Sequence, residues 1–244
     1  MEMGGFPRLK QSAVQLFKLI FPPACPLCLG TLPSKGAGDF CPTCLAGFKP
    51  LPKAHCSCCS LPFAGAGNSS HLCSRCLKKP PPYTQVYAFG LYEDSLREAV
   101  HQFKFNRKVG LDRSLGRLLE QSIGSDLNID LVVPVPLQRK RLQQRSYNQA
   151  LLLAREVART RSYTMDAGLL VKTKETALQH DLPAREREKN LHGAFRLERQ
   201  LSGEDVLLID DVMTTGATVA ACSQVLLAGG AGSVNVAVMA RAAR

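Results

Sequence analysis

The chain has 244 residues, 45% of them hydrophobic, and its 31 Lys and Arg against 20 Asp and Glu give a net charge of +11. This length accommodates one good-sized core and a smaller module, and no apolar run approaches the roughly 18 residues that a membrane span needs. We therefore expect no membrane insertion, and the basic balance favours an anionic partner, either phosphates or nucleic acid.

Residues 1–24 form the predicted lead-in to the first module. Basic residues precede an apolar patch at residues 16–21, but Lys18 interrupts that patch and no small-residue cleavage site follows. We predict a short amphipathic helix over residues 10–21 and a cytoplasmic protein.

Nine of the ten cysteines lie between residues 25 and 76, and eight of them form four C-x-x-C pairs. Twelve residues separate the first two pairs and thirteen separate the last two. A C-x-x-C turn directs two thiolates at one cation, and two such turns complete the tetrahedral shell of a structural zinc ion. The predicted zinc ligands are Cys25, Cys28, Cys41, Cys44, Cys56, Cys59, Cys73 and Cys76.

The spacing leaves the number of zinc ions open: one ion, or two ions bound in sequence or cross-braced. Redox-active pairs and unligated thiols are the alternatives to zinc. Cys58 falls outside the C-x-x-C register, while His55 and His71 adjoin predicted ligands and can substitute for one. Because a four-cysteine site is coordinatively closed, we expect a structural or docking role for this module and no catalysis there.

A proline run follows the last cysteine pair, between Lys78 and Tyr83. Consecutive prolines favour a stiff, extended segment. We therefore predict a cysteine-rich module with its linker over residues 25–82 and a second domain over residues 83–244.

In the second domain, predicted strands alternate with predicted helices. The predicted strands are 86–93, 131–137, 167–172, 206–210 and 233–240, and the predicted helices are 95–105, 148–159 and 217–228. This alternation predicts an α/β fold with a parallel sheet flanked by helices. In such sheets ligands bind at the carboxyl ends of the strands.

The segment VLLIDDVMTTGATV, residues 206–219, carries two adjacent acids at a strand end. The turn at residues 213–218 opens the next predicted helix, where backbone N–H groups, threonine hydroxyls and the helix dipole form an anion cradle. Carboxylates repel phosphate, so Asp210 and Asp211 must face another part of the ligand, and vicinal hydroxyls suit them as hydrogen-bond donors. The segment predicts a ribose 5-phosphate site, with an Asp-Asp helix N-cap as the structural alternative.

The same segment resembles the phosphoribosyl pyrophosphate (PRPP) motif of type I phosphoribosyltransferases. The resemblance implies their fold, with a hood over the site, and PRPP bound together with Mg²⁺. Asp210 and Asp211 would hold the ribose hydroxyls and act in catalysis. The residues that would hold the 5-phosphate are Thr214, Thr215, Gly216, Ala217 and Thr218.

Two further stretches, VVPVPLQRKRLQQRSYNQA (132–150) and LVKTKETALQHDLPAREREKNLHGAF (170–195), together with the acid motif, resemble the ComF family. Members pair an N-terminal cysteine module with a phosphoribosyltransferase domain, and the likeness spans residues 25–241. It implies a role in competence, with single-stranded DNA and other DNA-uptake proteins as partners. The family often has Gly and Phe where this chain has Ser146 and Tyr147.

A basic stretch at residues 139–145 follows the second predicted strand. In this fold the loop after that strand meets the pyrophosphate, and arginine forks bind its negative charge well. We assign Arg139 and Arg145 to the pyrophosphate, and the resemblance favours Arg145, oriented by Asn148 and Gln149. A solvated helix start or a nucleic-acid patch is the alternative.

Residues 173–195 are polar, have no clean period and lie between two predicted strands, which is typical of a hood or lid. A closing lid would exclude water, which matters because hydrolysis competes with transfer. A salt-bridged exposed helix is the alternative. The residues that fit the family's polar pattern are Lys174, Thr176, Gln179, Arg185, Arg187 and Asn190. Lys104, which follows an aromatic residue, is a weaker candidate for the pyrophosphate.

Three functions therefore compete. The first is a phosphoribosyltransferase whose acceptor no residue identifies, and the second is a non-catalytic protein that binds the same sugar phosphate. Both predict PRPP binding, but only the first predicts release of pyrophosphate. The third is a protein that handles single-stranded DNA through the zinc module and the basic stretches, which predicts steeply salt-dependent binding.

Overall fold

The computed structural model describes residues 23–32, 39–64, 69–105, 110–173 and 193–243, the side chain of Arg139 excepted. The predicted helix at residues 10–21 and the predicted hood residues lie outside these ranges. The chain divides into two compact units, residues 1–47 and residues 48–244. Within the described ranges no helix is both long enough and apolar enough to cross a membrane.

The strands of the described residues are β1 Val86–Leu91, β2 Leu131–Pro134, β3 Thr164–Met165, β4 Leu170–Lys172, β5 Phe195–Leu197, β6 Asp205–Met213 and β7 Ser233–Arg241. Five of them form one sheet in the order β1-β7-β6-β2-β3, and every neighbouring pair in it is parallel. Strands β4 and β5 pair antiparallel in a separate two-stranded sheet.

The helices of the described residues are α1 Pro42–Ala46, α2 Ser74–Lys78, α3 Asp94–Phe105, α4 Leu111–Gln121, α5 Arg139–Arg145, α6 Gln149–Arg161 and α7 Ala217–Ala228. Helices α3 and α4 pack against β1 and β7, and α6 packs against β2 and β6. Helices α4 and α6 approach so closely at Gly116 that a Cβ there would lie 2.5 Å from Cβ of Glu156. The parallel sheet with flanking helices confirms the predicted fold class.

Strand β6 is buried on both faces, as its unbroken apolar run predicts. Val206 and Leu208 join a core cluster with Cys222 and Leu226 of α7. Side chains alternate along a strand, so Leu207 and Ile209 face the opposite side, on which α6 packs. Helices therefore cover both faces of this central strand.

Several strand ends differ from the predicted ones, and the ends of β2 and β6 shape the edge of the sheet. Strand β2 ends at Pro134. Val135 still donates its N–H to the carbonyl of Ile209, but Pro136 has no N–H and cannot continue the ladder. Strand β6 continues to Met213 by pairing with β7. The acid pair of β6 therefore projects past the end of β2.

The predicted strand at residues 167–172 belongs to the fold in a different place. Its last three residues form β4, which pairs with β5 outside the parallel sheet, so the prediction of this segment as a strand of the main sheet is wrong. The edge position next to β2 is filled by β3, which has two residues and follows α6 directly. A two-residue strand is too short to show a hydrophobic period.

Residues 49–51, which we call the edge segment, run along the outer side of β1. Leu91 donates its N–H to the Lys49 carbonyl at 2.9 Å, and Leu51 donates to the Phe89 carbonyl at 3.3 Å. A Cβ at Gly90 would lie 2.4 Å from that Lys49 oxygen, so only glycine permits this approach. The outer edge of β1 is thus covered.

Candidate functional site

The eight predicted cysteine ligands form two groups in sequence order. The first cluster is Cys25, Cys28, Cys41 and Cys44, and the second cluster is Cys56, Cys59, Cys73 and Cys76. Within each group the Sγ atoms lie within 4.8 Å of one another. Cys58 lies outside both groups, and Cys222, the one cysteine beyond residue 76, is buried in α7 and belongs to the core.

The sulfur geometry fits a tetrahedral zinc ion. The Sγ atoms of Cys28 and Cys41 lie 3.6 Å apart, and those of Cys59 and Cys73 lie 3.8 Å apart. Four sulfurs at about 2.3 Å from one zinc would be about 3.8 Å from each other. Such a closed shell supports a structural role and leaves no position for a substrate.

Backbone N–H groups prepare the second cluster for a thiolate. Burial raises the pKa of Cys56, but hydrogen bonds from the N–H groups of Cys59 and Cys73 outweigh it and bring that pKa down to about 7. The N–H of Cys73 lies 3.3 Å from this sulfur. Thiolates are the form in which cysteine ligates zinc, so these bonds favour metal binding.

The carboxyl ends of β2 and β6 open onto a cavity of about 180 Å³. The acid pair and the turn that follows it form one wall, and the start of the segment after β2 forms another. The side chains and segments that line it are Tyr92, Lys104, residues 135–138, Arg141, Arg145, Lys172 and residues 210–219. This is the edge at which parallel α/β sheets bind ligands.

Residues 214–218, which we call the threonine loop, turn the chain from β6 into α7. Gly216 adopts φ +80°, a conformation that favours glycine, whereas a Cβ there would meet only the end of the flexible Met213 side chain, at 2.5 Å from its Cε. The Thr215 hydroxyl accepts a hydrogen bond from the N–H of Ala217 at 3.3 Å. Because Gly216 is the N-cap of α7, the acid pair does not cap this helix.

The two acids lie in different electrostatic surroundings. Burial, and then the neighbouring carboxylate of Asp211, raise the pKa of Asp210 to about 7. The Asp210 carboxylate accepts the N–H of Asp211 at 2.8 Å. The Asp211 carboxylate is ion-paired with Nζ of Lys104 at 2.8 Å, and both side chains are largely buried, at 14% and 15% exposed.

Among the described residues, four cations line the cavity together with these two carboxylates: Lys104, Arg141, Arg145 and Lys172. Burial lowers the pKa of Lys172, and the charge of Arg141 lowers it further. Burial likewise lowers the pKa of Arg145. The excess of positive charge, held partly out of water, suits a ligand with several negative charges.

Arg145 is held from two sides. Its guanidinium donates to Oε1 of Gln149 at 3.2 Å and stacks over the ring of Phe105, 4.8 Å from the ring centroid. Asn148 acts differently from the prediction: it caps α6 by accepting the N–H of Ala150 and donates to the carbonyl of Val135. Of the two predicted orienting residues, the described contacts therefore join Gln149 to Arg145.

Ser146 ends α5 with φ +68° and ψ −9°. This left-handed conformation favours glycine, which is the residue often found here in the ComF pattern. The next side chain, Tyr147, donates its hydroxyl to the carbonyl of Phe103 at 2.5 Å. Ser146 therefore adopts the left-handed turn after α5 that the glycine of the family pattern would favour.

The structure brings most of the predicted phosphoribosyl site together. Asp210, Asp211, the threonine loop and Arg145 line one cavity. The hood residues and the side chain of Arg139 lie outside the described part of the chain. Our assignment omitted Lys172 and Arg141, although Lys172 ends an apolar strand in the same way as the acid pair and could have been found by that signal.

Comparison with known families agrees with both modules. Residues 16–82 match the double zinc ribbon domain, and residues 111–244 match the phosphoribosyl transferase domain. The second match covers more than half of the chain. The molecule is therefore a phosphoribosyltransferase-domain protein that carries a double zinc ribbon.

Its relatives narrow the class. DNA utilization protein YhgH of Escherichia coli (strain K12) is 37% identical over 226 residues, which are 89% of this chain and 96% of the relative. Competence protein F of Haemophilus influenzae is 32% identical over 197 residues, 75% of this chain and 86% of the relative. The chain belongs to the ComF family, which confirms the resemblance in its sequence.

Among solved structures, a glutamine PRPP amidotransferase from B. subtilis covers 53% of this chain and 26% of its own, at 21% identity and a TM-score of 0.37.

Proposed function

We propose that the protein binds PRPP with Mg²⁺ in the cavity at the carboxyl ends of β2 and β6 and transfers its phosphoribosyl group to an acceptor. The observation that carries this proposal is a single cavity lined by the acid pair, the threonine loop and four cations. Vicinal hydroxyls, a terminal phosphate and a polyphosphate are the groups that these three parts would recognise.

Each part has a distinct role in this proposal. Asp210 and Asp211 accept hydrogen bonds from the ribose hydroxyls, and Lys104 orients the second carboxylate through its ion pair. The threonine loop donates N–H and hydroxyl groups to the 5-phosphate. Arg145, with Arg141 and Lys172, faces the pyrophosphate. Arg139 and the hood residues are assigned to the same site from the sequence alone.

In the transfer, the bond from the anomeric carbon to the pyrophosphate oxygen breaks, and its electron pair leaves with pyrophosphate. The nucleophilic atom of the acceptor forms the new bond to that carbon and gives up its proton. The ribose ring carries positive charge as these bonds change, and the two carboxylates stabilise it. Mg²⁺, whose preferred ligands are oxygens such as those of the acid pair, would supply the charge neutralisation that eases departure of pyrophosphate.

Calorimetric titration of PRPP with Mg²⁺ tests the binding step. We expect the wild type to bind, and Asp210→Asn with Asp211→Asn to weaken binding by about 100-fold or more, since charged hydrogen bonds are each worth about 1.5–3 kcal/mol. Asp205→Asn is the matched control, because Asp205 lies at the amino end of the same strand and accepts a hydrogen bond from Ser233. An unchanged affinity in the double variant would refute the assigned site.

Pyrophosphate release separates transfer from binding alone. A screen of amine and nucleobase acceptors should give pyrophosphate with the wild type and not with the double variant. Binding without release for any acceptor would favour the non-catalytic function, in which the protein senses PRPP.

A second candidate function is binding of single-stranded DNA, alongside or instead of transfer. Two relatives are named for DNA utilization and for competence, and Arg75, Lys78 and Lys79 are exposed together at the end of α2. We infer that this basic end contacts nucleic-acid phosphates, in a process that would involve DNA-uptake proteins.

Anisotropy of a labelled oligonucleotide over a salt series tests this second candidate. Lys78→Glu with Lys79→Glu should weaken binding and reduce the salt slope by about 1.4, that is about 0.7 for each lost phosphate contact. Arg196→Glu, which changes an exposed residue of β5, is the control. Binding that is insensitive to salt, or equally affected by both changes, would exclude this surface.

A further inference from the structure

Arg241, the last residue of β7, joins the second cluster to the start of the threonine loop. Its side chain is buried, with 2% of the residue exposed. Nε donates to the carbonyl of Cys59 at 2.9 Å, and Nη1 donates to the carbonyls of Met213 at 3.0 Å and Thr214 at 2.6 Å. One planar guanidinium therefore holds the cysteine turn and the loop at a fixed separation.

The cysteine turn is itself attached to the sheet through consecutive residues. The carbonyl of Cys58 accepts the N–H of Val86 at 2.8 Å. The Ser60 hydroxyl donates to the carbonyl of the same valine at 2.5 Å. With the Arg241 bond to Cys59, residues 58, 59 and 60 each contact the sheet, so the turn cannot move without moving β1 or β7.

On its other side Arg241 borders the cavity wall. Its carbonyl accepts the N–H of Tyr92 at 2.9 Å, and Tyr92 lines the cavity. The carbonyl of Met213 also accepts the N–H of Ala242 at 3.0 Å. Removal of the guanidinium would leave the carbonyls of Cys59 and Thr214 without this charged donor, and unsatisfied buried acceptors are costly.

We propose that Arg241 is a positioning residue through which the metal-bound second cluster fixes the threonine loop. Zinc bound to the second cluster would hold the Cys56–Cys59 turn in one conformation. Arg241, bonded to Cys59, then fixes the positions of residues 213 and 214. The N–H groups of the loop are thereby held in the arrangement that binds the ligand. Metal loading of the second cluster and affinity for a sugar phosphate are therefore coupled. Only the identity of the ligand rests on the proposed function; the coupling itself does not.

Amide hydrogen exchange of residues 213–218 in the full chain, with PRPP titration beside it, tests the role of Arg241. We expect Arg241→Met to speed exchange in this loop by about ten-fold or more and to weaken PRPP by a similar factor. Arg241→Lys keeps the positive charge but lacks the planar guanidinium. Its exchange rate and its PRPP affinity should therefore lie between those of the wild type and Arg241→Met.

Arg161 offers a matched control. Its guanidinium likewise donates to backbone carbonyls, those of Glu120, Ile123 and Gly124, but it joins α6 to the end of α4 and lines no part of the cavity. Arg161→Met should lower overall stability and leave both loop exchange and PRPP affinity unchanged. This separates general destabilisation from positioning of the loop.

The coupling is tested by Cys73→Ser in the wild-type and Arg241→Met backgrounds, with zinc content measured in each. We expect loss of the second-cluster zinc to speed loop exchange in the wild-type background and to add little once Arg241 is replaced. Cys41→Ser, in the first cluster, should leave the loop unaffected. Fully additive effects of Cys73→Ser and Arg241→Met would overturn the coupling.

The remaining outcomes are distinguishable. If the wild type does not bind PRPP, the proposed function fails, and the exchange measurements still decide the role of Arg241. If Arg241→Met is folded by circular dichroism and leaves exchange unchanged, the proposal is overturned. If it does not fold, Arg241→Lys is judged by the same readouts, and unchanged exchange in that variant overturns the proposal.

Discussion

Each of the two cysteine clusters consists of two C-x-x-C pairs, yet the surroundings of the clusters differ. In the first cluster Cys25 is buried, Cys28 is exposed and the other two thiols are partly exposed, whereas all four thiols of the second cluster are buried. The second cluster also belongs to the core cluster that contains Tyr83 and Val86 of the larger unit. The motif specifies the metal, and the surrounding side chains decide how much of the fold depends on it.

The energetics of zinc follow from this contrast. Binding of a structural zinc ion supplies folding free energy to whatever the ligands hold in place. In the first cluster the ligands hold a turn and the start of the five-residue helix α1 in place. In the second they fix a turn whose residues bond to β1 and β7. We therefore expect unequal consequences when either ion is lost.

The largest expected effect is on the unfolding of the larger unit. Cys73→Ser should lower its free energy of unfolding by about 3 kcal/mol or more, because three buried thiols would lose their metal. Thermal unfolding followed by circular dichroism measures this. Cys41→Ser should leave that transition near its wild-type temperature, and equal losses from the two changes would contradict the contrast between the clusters.

A smaller effect is the pH dependence that Asp210 gives to the stability of the larger unit. Because the pKa of Asp210 is raised to about 7, from an ordinary value of 3.8, the folded state binds this proton more tightly than the unfolded state. Its contribution to stability is therefore fully present below about pH 4 and is lost as pH rises to about 7. Denaturant unfolding at pH 5 and pH 8 should show this loss in the wild type.

Asp210→Asn removes the titrating group, so it should remove this slope and stabilise the ligand-free protein at pH 8 by about 1–3 kcal/mol. Asp205→Asn is the control and should keep the slope. An unchanged pH dependence in Asp210→Asn would contradict the raised pKa of Asp210.

The smallest expected effect concerns one contact of the second cluster with the sheet. Ser60→Ala removes the buried hydroxyl that donates to Val86 and should cost about 1 kcal/mol in the unfolding of the larger unit. Ser70→Ala removes an exposed hydroxyl that donates to His55 and should cost much less. Equal costs would show that the link from Ser60 to β1 contributes nothing beyond an ordinary surface contact.

Most of the fold could be predicted from periodicity and end signals. Helix α7 was predicted at residues 217–228 and has those bounds, because Gly216 precedes it and two glycines follow. The buried run of β6 was also recognised. What failed was local: β3 is too short to carry a pattern, and β4 carries an apolar pattern that suits either sheet.

The candidate site divides in the same way. The acid pair and the threonine loop are contiguous in sequence, so their chemistry could be inferred before their geometry was known. Lys172 and Arg241 come from two other strands. Lys172 could have been found because it ends an apolar run, whereas Arg241 lines no part of the cavity and acts through backbone carbonyls that carry no sequence signal. Contacts made to the backbone are invisible in side-chain patterns.

The edge segment has a consequence for how the protein behaves at high concentration. An uncovered strand edge offers a row of unpaired N–H and C=O groups on which a second chain can add a strand. Residues 49–51 pair with these edge groups of β1. Pro50, the middle residue, has no N–H that could bond to a further strand. The short stretch of chain between the two cysteine clusters therefore protects this edge of the sheet, and a cut within it should expose the edge of β1 to pairing with a strand of another chain.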